Sequence, residues 1–234
     1  MVERRDVEFG VDGGDRLRGC LFLPSKRTGP PPISVAHGYA GVKEHGLELL
    51  VLGETDRRIR AVVSQVPAIS GYEQGLRREP PDAFAAREHQ FDEDERAQLR
   101  GEPPRIQQVV NTDPSVVASY RTPDAIAFYL QPLPEGAWKN EVTVRSGRLA
   151  RMYEPGRWAA RVAPTPLLMI VALADNITLT DLQLLAYEQI LEPKKLVTVE
   201  GGHFDPYLKQ FPRASEAAVS WFRQQLTADA HGER

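Results

Sequence analysis

The chain has 234 residues, of which 26% are charged, and its formal net charge is −3. This near balance of charge argues against nucleic-acid and anionic-membrane partners. Cys20 is the only cysteine, so no internal disulfide can form, and we expect a cytoplasmic protein. The length suits one α/β domain with an insertion, and the apolar runs are too short to span a bilayer. The amino-terminal residues lack the apolar core of a signal peptide.

The first part of the chain predicts a hairpin followed by a helix and a strand. Val7–Val11 and Leu17–Leu23 alternate in polarity, and the glycine-containing turn between them predicts an antiparallel β-hairpin. Val42–Gly53 carries an apolar stripe and ends in glycine, which is typical of a helix. Ile59–Val66 is an apolar run bounded by Pro67, which predicts a buried parallel strand.

A short strand before the predicted helix leads into a glycine-containing turn. Ile33–Ala36 is apolar and runs directly into His37–Gly41. Glycines after a strand permit a tight turn, in which the backbone N–H groups of Gly38 and Tyr39 could bind a developing oxyanion. An ordinary strand-to-helix turn is the alternative interpretation.

The middle of the chain differs in character from both ends. Between residues 68 and 162, strand patterns are absent and short helical patterns are separated by prolines. We therefore expect residues 1–67 and 163–234 to form one α/β core, and residues 68–162 to form a helical lid. The aromatic residues of this insertion are expected mainly in the core of the lid rather than in a pocket.

Two successive strands in the last third of the chain each end near a chemically useful side chain. Leu167–Ala172 is followed by Asp175, and Leu196–Val199 is followed by Gly201-Gly202-His203. A right-handed βαβ crossover makes such strands parallel, so their carboxyl ends lie at one edge of the sheet. We therefore predict a hydrogen bond of about 2.6–3.2 Å between Asp175 and His203.

Two helices are expected around these strands. Thr178 with Asp181 predicts the start of the first, whose apolar face includes Leu182 and Leu185. The second is expected from near Pro212 to Leu226, where apolar residues again recur at helical spacing.

Together these residues identify a resemblance to a known family. The strand that ends in His37–Gly41, the strand that ends at Asp175 and the turn Gly201–Asp205 resemble an α/β-hydrolase, and the match extends from about Val7 to Leu226. The insertion is similar to the lids of serine esterases and dienelactone hydrolases. The resemblance implies a mostly parallel sheet, a small ester, thioester or lactone substrate, and no cofactor.

The same resemblance implies roles for the two side chains. His203 would act as general base, and Asp175 would fix its tautomer. A metal site made by His37, Asp175 and His203 is possible only in principle, because two distant imidazoles and one carboxylate are weak evidence for one, and no metal is expected.

The sequence departs from the family at the nucleophile. No G-x-S-x-G occurs: Gly10–Gly14 encloses Asp12, and Gly71–Gly75 encloses Glu73. Only 17 residues separate Gly41 from Ile59, whereas two βα units need about 60. Compared with the family it resembles, we therefore expect the segment that carries the nucleophile, with the central strands of the sheet, to be deleted.

The candidate replacements for the nucleophile are Ser70, Ser34, Ser64 and Cys20. Ser70 lies just past Ile59–Val66, near the carboxyl edge, and is the best substitute, whereas Ser34 and Ser64 lie within strands. Cys20 is expected to pack in the hairpin. Three interpretations stay open: a hydrolase in which His203 activates water, a catalytically inactive binding protein with a hydrolase fold, and a truncated gene product.

The deletion also leaves Ile33–Ala36 without its usual neighbours. This strand can pair with Ile59–Val66 and complete a sheet of about six strands, because 17 residues suffice for a parallel crossover. The alternative is pairing between two chains in a homodimer. We expect the first arrangement.

Overall fold

The computed structural model describes residues 2–10, 16–24, 39–40 and 59–228. The amino terminus is an antiparallel hairpin of strands β1 (Val2–Gly10) and β2 (Arg16–Pro24), with Val2 opposite Pro24 and Gly10 opposite Arg16. This confirms the predicted hairpin, in which Cys20 lies opposite Asp6. The segments 25–38 and 41–58 lie outside the described residues, so the predictions for Ile33–Ala36 and Val42–Gly53 stay predictions.

From residue 59 onward the described chain alternates strands and helices. In chain order these elements are β3 (Val62–Gln65), α1 (Gly71–Arg78), α2 (Pro81–Leu99), β4 (Ile106–Val110), β5 (Ala118–Tyr120), α3 (Pro123–Tyr129), β6 (Val142–Thr143), α4 (Val144–Met152), β7 (Leu167–Ala172), α5 (Thr180–Gln189), β8 (Lys194–Val199) and α6 (Phe211–Ala228). Short 3₁₀ helices occupy Pro155–Val162 and Asp205–Tyr207. None of these helices is long and apolar enough to cross a membrane.

The core is a parallel sheet in the order β3-β7-β8. All six residues of β7 are buried, as expected for a strand with parallel neighbours on both sides and helices on both faces. The three strands predicted at Ile59–Val66, Leu167–Ala172 and Leu196–Val199 are confirmed, although β3 is shorter than predicted and β8 begins two residues earlier. Both β7 and β8 end on the edge that carries Asp175 and His203.

Alternate residues of β7 pack into two different layers. On one face, Leu167, Met169 and Val171 contact the 3₁₀ helix Pro155–Val162 and the helix α5. On the other face, Leu168, Ile170 and Ala172 contact α6, chiefly through Ala214 and Trp221. Burial of this apolar surface is the main driving force for folding, and it fixes the strand register because a one-residue slip would exchange the two faces.

The insertion is not purely helical, and that expectation was wrong. It contains a small sheet in the order β5-β4-β6, in which β4 is parallel to β5 and antiparallel to β6. The Asn140 side chain accepts hydrogen bonds from the backbone of Val109 and Val110, and it donates one to the Val110 carbonyl. This amide supplies hydrogen-bond partners to β4 beyond Gln107, where its pairing with the two-residue strand β6 ends.

A third apolar cluster joins the insertion to the core. Val109, Val110, Phe128 and Tyr129 come from the insertion, and they pack against Ile177 and Phe204 from the loops at the ends of β7 and β8. The insertion is therefore packed directly over the carboxyl edge of the core sheet.

Candidate active site

Asp175 and His203 are hydrogen-bonded at the carboxyl edge of the core sheet. The Nδ1 atom of His203 lies 2.9 Å from Oδ2 of Asp175, which confirms the predicted contact. Both side chains are buried. An ionised carboxylate can only accept hydrogen bonds, so Nδ1 of His203 carries the proton and Nε2 is the basic nitrogen of the neutral ring.

Asp175 is held ionised by donors on both of its oxygens. The backbone N–H groups of Ile177 and Thr178 donate to Oδ1 at 2.8 and 2.9 Å. On Oδ2, the Thr178 hydroxyl donates at 2.7 Å and the Gln183 amide at 3.0 Å. Burial acts to raise the pKa of Asp175, but the hydrogen bond and charge of His203, with the Thr178 and Ile177 donors, lower it to about 2.

Thr178 and Gln183 belong to the site, although the sequence placed both residues in a helix. The helix α5 begins at Thr180, and Thr178 does not cap it. The Thr178 hydroxyl instead lies 3.2 Å from His203 Nδ1. The Gln183 side chain is fully buried and also donates to Thr178 Oγ1 at 3.0 Å. Leu185, predicted on the apolar face, is instead exposed. A threonine three residues after a strand-end aspartate was the available signal.

The loop that carries His203 is fixed by two carboxylates. The backbone N–H of Gly202 donates to Asp205 Oδ2 at 2.7 Å. Phe204 N donates to Asp124 Oδ2 at 3.4 Å, which links the loop to the insertion. Gly201 has a φ of 102°, a conformation that favours glycine. The His203 ring meets the edge of Phe204 at a centroid distance of 4.7 Å.

Backbone strain is concentrated near this pair. Val66, just past the end of β3, is fully buried with a φ of 40°, and its carbonyl oxygen lies 3.3 Å from Thr178 Oγ1. Leu179 has a φ of 63°. Positive φ at bulky residues is uncommon and persists only where the surrounding structure enforces it, which is typical of functional sites.

A cavity of about 590 Å³ lies between the core and the insertion. Thr178 and His203 line it from the core sheet, and Tyr120, Phe128 and Tyr129 line it from the insertion. These three aromatic residues also pack in the cluster that joins insertion and core, so the two predicted roles are not exclusive. The volume falls in the range of small-molecule sites.

Solved structures share the fold of this chain. The α/β-hydrolase GrgF from Penicillium sp. sh18 matches with a TM-score of 0.66 and 17% identity, covering 96% of this chain and 99% of GrgF. The hypothetical protein PA2218 from Pseudomonas aeruginosa gives a TM-score of 0.69 at 16% identity, with coverages of 96% and 94%. DcsB, solved with a substrate analogue, gives 0.60 at 21% identity, covering 74% of this chain and 59% of DcsB. The chain has the α/β-hydrolase fold.

No family model and no curated protein matches the sequence. The structural likeness at these identities establishes the fold, and the chemistry has to be argued from the site. In α/β-hydrolases the nucleophilic serine sits at a G-x-S-x-G elbow, a motif that this sequence lacks.

The two serines nearest the carboxyl end of β3 differ in their surroundings. Ser70 caps α1. Its hydroxyl accepts a hydrogen bond from Glu73 N at 3.1 Å and donates its proton to Glu154 Oε1 at 2.8 Å, so this proton is not directed at His203. Ser64 is fully buried and lines the cavity, and no hydrogen bond joins its Oγ to any part of the described chain. The sequence favours Ser70 over Ser64 as a substitute nucleophile, and that preference stays a prediction.

The predicted oxyanion turn is described at Tyr39 and Ala40, while Gly38 lies outside the described residues. The Tyr39 carbonyl accepts from the Tyr129 hydroxyl at 2.7 Å, and the Ala40 carbonyl accepts from Trp138 Nε1 at 2.9 Å. The insertion therefore anchors this turn, and an oxyanion role for Gly38 and Tyr39 stays a prediction.

Candidate metal ligands are not grouped in the described ranges. Within residues 2–10, 16–24, 39–40 and 59–228, no three His, Cys, Asp or Glu side chains come together. His89 is exposed on α2 beside Glu93, and His37 and His45 lie outside these ranges.

Proposed function

We propose that this protein is a hydrolase of small esters, thioesters or lactones in which His203 activates water. The observation that carries the proposal is the 2.9 Å contact between His203 and Asp175 at the wall of a cavity of about 590 Å³. A general base in this position needs a partner that orients it, and Asp175 supplies one.

The chemistry follows from the tautomer. Asp175 holds the proton of His203 on Nδ1, so Nε2 can take a proton from water while the water oxygen attacks the acyl carbon. The resulting tetrahedral intermediate expels its alcohol or thiol, which receives the proton back from the imidazolium. Asp175 stabilises that imidazolium, and the N–H groups of Gly38 and Tyr39 are the proposed oxyanion donors. The products are a carboxylic acid and the leaving group, without a covalent acyl-enzyme.

The proposal includes a cytoplasmic location and a small-molecule substrate, and it requires no cofactor. A monomer with a continuous core sheet is the proposed assembly, and a homodimer is the alternative.

A second candidate is a binding protein that keeps the hydrolase fold without the activity. The absence of G-x-S-x-G from the sequence and the commitment of the Ser70 hydroxyl to Glu154 favour it. A truncated gene product would leave the same residues in place.

Hydrolysis of p-nitrophenyl acetate and p-nitrophenyl butyrate separates these candidates. The wild type should release p-nitrophenolate above background without a stoichiometric burst, because no acyl-enzyme forms. His203→Ala should lower the rate by about a hundredfold or more, which is the usual contribution of a general base. His89→Ala removes an exposed imidazole that makes only a 3.7 Å contact with Glu93, and it should leave the rate unchanged.

A fluorophosphonate probe tests the absence of a covalent route. No serine should be labelled at the rate of a serine esterase, as peptide mass spectrometry would show. Rapid stoichiometric labelling of Ser64 or Ser70 would contradict activated water. If the wild type hydrolyses the p-nitrophenyl esters no faster than His203→Ala does, the result would instead favour the binding protein.

A further inference from the structure

The charges on the insertion side of the cavity are mostly compensated. Arg87 Nε lies 2.7 Å from Glu79 Oε1. Arg151 pairs with the other oxygen of Glu79 at 2.6 Å and with Glu88 at 2.8 Å. These two arginines and Glu79 line the cavity, and their pairing leaves little free charge to offer a ligand.

Arg78 is the exception among the cavity arginines. It lies at the carboxyl-terminal end of α1 and lines the cavity, but no carboxylate of the described chain forms an ion pair with it. Its guanidinium lies over the Tyr120 ring, 5.5 Å from the centroid. A cation–π contact holds the guanidinium plane without neutralising its charge. Arg78 is an exposed residue, which places it at the mouth of the cavity.

Gln74 lies one helical turn before Arg78, on the same face of α1. It also lines the cavity, and its Nε2 is buried without a hydrogen-bond acceptor in the described chain. A buried donor without a partner is costly, so such a group usually serves a ligand or water. Ser64 Oγ, fully buried in the cavity wall, likewise has no hydrogen-bond partner in the described chain.

Another part of the cavity wall is polar, because Tyr39, Gln107 and Ser119 also line the cavity. Tyr39 Oη lies 3.4 Å from Ser119 Oγ, to which Gln107 Nε2 donates at 3.0 Å. Burial raises the pKa of Tyr39, while its hydrogen bond to Ser119 and the charges of Arg87 and Arg78 oppose that rise. Tyr39, a residue of the cavity wall, therefore lies close enough to Arg78 to be affected by its charge.

We propose that this cavity binds an acyl substrate that carries a carboxylate, with Arg78 and Gln74 as its anchor. The inference rests on the proposed function, because it takes the cavity beside His203 as the substrate site. The guanidinium and amide donors complement the two oxygens of a carboxylate. No ion pair within the described chain neutralises the positive charge of Arg78. A half-ester of a short dicarboxylic acid combines the two required groups: a carboxylate for Arg78 and an ester carbonyl for His203.

Binding can be measured without turnover in the His203→Ala protein. Isothermal titration calorimetry would compare monomethyl glutarate with dimethyl glutarate, which has the same ester but no charge. We expect the half-ester to bind about tenfold more tightly, as one charge-assisted contact allows. The preference should weaken at high salt because the site lies at the cavity mouth.

Substitutions on α1 assign the preference to its residues. Arg78→Gln in the His203→Ala background should bring the two affinities to within about twofold. Gln74→Met should reduce the preference in part. Arg77→Gln is the matched control, because Arg77 is adjacent, exposed and paired with Asp181 at 2.8 Å, away from the cavity wall. Thermal unfolding of each variant would show that the fold is retained.

Equal binding of the two esters, or an equal loss of preference in Arg77→Gln and Arg78→Gln, would overturn the carboxylate subsite. Hydrolysis of neutral esters by the wild type in that case would leave the proposed function intact. A carboxylate preference that depends on Arg78, in a protein that hydrolyses neither p-nitrophenyl ester, would keep the subsite and refute the hydrolase.

Discussion

At the scale of single residues, the site depends on how many donors surround one buried carboxylate. Asp175 accepts from two backbone N–H groups and from Thr178, Gln183 and His203. A buried charge is tolerated only when it is paired and hydrogen-bonded, and here all five donors favour the ionised form. The same contacts that orient His203 therefore also link the stability of the protein to pH.

We predict that Asp175 contributes pH-dependent stability in the acid range. Its folded pKa is about 2, below its ordinary value of 3.8, so its contribution is complete above pH 4 and is lost as the pH falls towards 2. The shift corresponds to about 2 kcal/mol in the free energy of unfolding. Urea denaturation should show the gap between wild type and Asp175→Asn narrowing by about 1.5 kcal/mol from pH 5 to pH 2.5, where about two-thirds of the contribution is lost.

Glu135→Gln serves as the control for this measurement. Glu135 is exposed, and it makes no ion pair or hydrogen bond within the described ranges. Its substitution should leave the wild-type curve unchanged at every pH. A gap between wild type and Asp175→Asn that stays constant with pH would contradict the proposed linkage.

At the scale of elements, the sequence predicted what apolar runs control and missed what polar side chains control. β7 matched its predicted bounds because a continuous apolar run has one solution in a parallel sheet. β4 was missed because Gln107 and Gln108 interrupt its pattern, and because the Asn140 side chain supplies partners from 30 residues away. Thr178 was misassigned because the same residue type caps helices and orients carboxylates.

The loop after β8 yields a prediction about backbone geometry. Gly201 has a φ of 102°, and a Cβ atom there would overlap the Asp205 carboxylate that holds Gly202. Gly201→Ala should therefore displace His203, abolish most of the proposed esterase activity and destabilise the protein by about 2–4 kcal/mol. Activity assays and urea denaturation would measure the two effects.

Gly101→Ala is the matched control for this substitution. Gly101 also has a positive φ, 88°, but no atom lies within 4 Å of its would-be Cβ. This variant should lose only about 1 kcal/mol through backbone strain and should keep its activity. Equal effects at both glycines would show that the overlap with Asp205 has no consequence for His203.

At the scale of the whole molecule, β3 requires a partner strand on the side that faces away from β7. Within residues 59–228, β3 pairs with β7 on one side and with no strand on the other. Val62 and Ser64 are nevertheless buried, and a buried strand edge with unpaired N–H groups is costly. The predicted partner is Ile33–Ala36, which lies outside the described residues.

Hydrogen exchange at single amides tests this pairing. Val62 N and Val66 N donate to Pro166 O and Ile170 O of the β7 segment, both at 2.8 Å, so the N–H groups of Val63 and Gln65 face the other side. We predict that the Val63 and Gln65 amides exchange as slowly as Ser64, at all protein concentrations and in a sample that sediments as a monomer. Fast exchange at Val63 and Gln65 beside a protected Ser64 would show an unpaired edge. Protection that appears only as dimers form in analytical ultracentrifugation would instead assign the partner strand to a second chain.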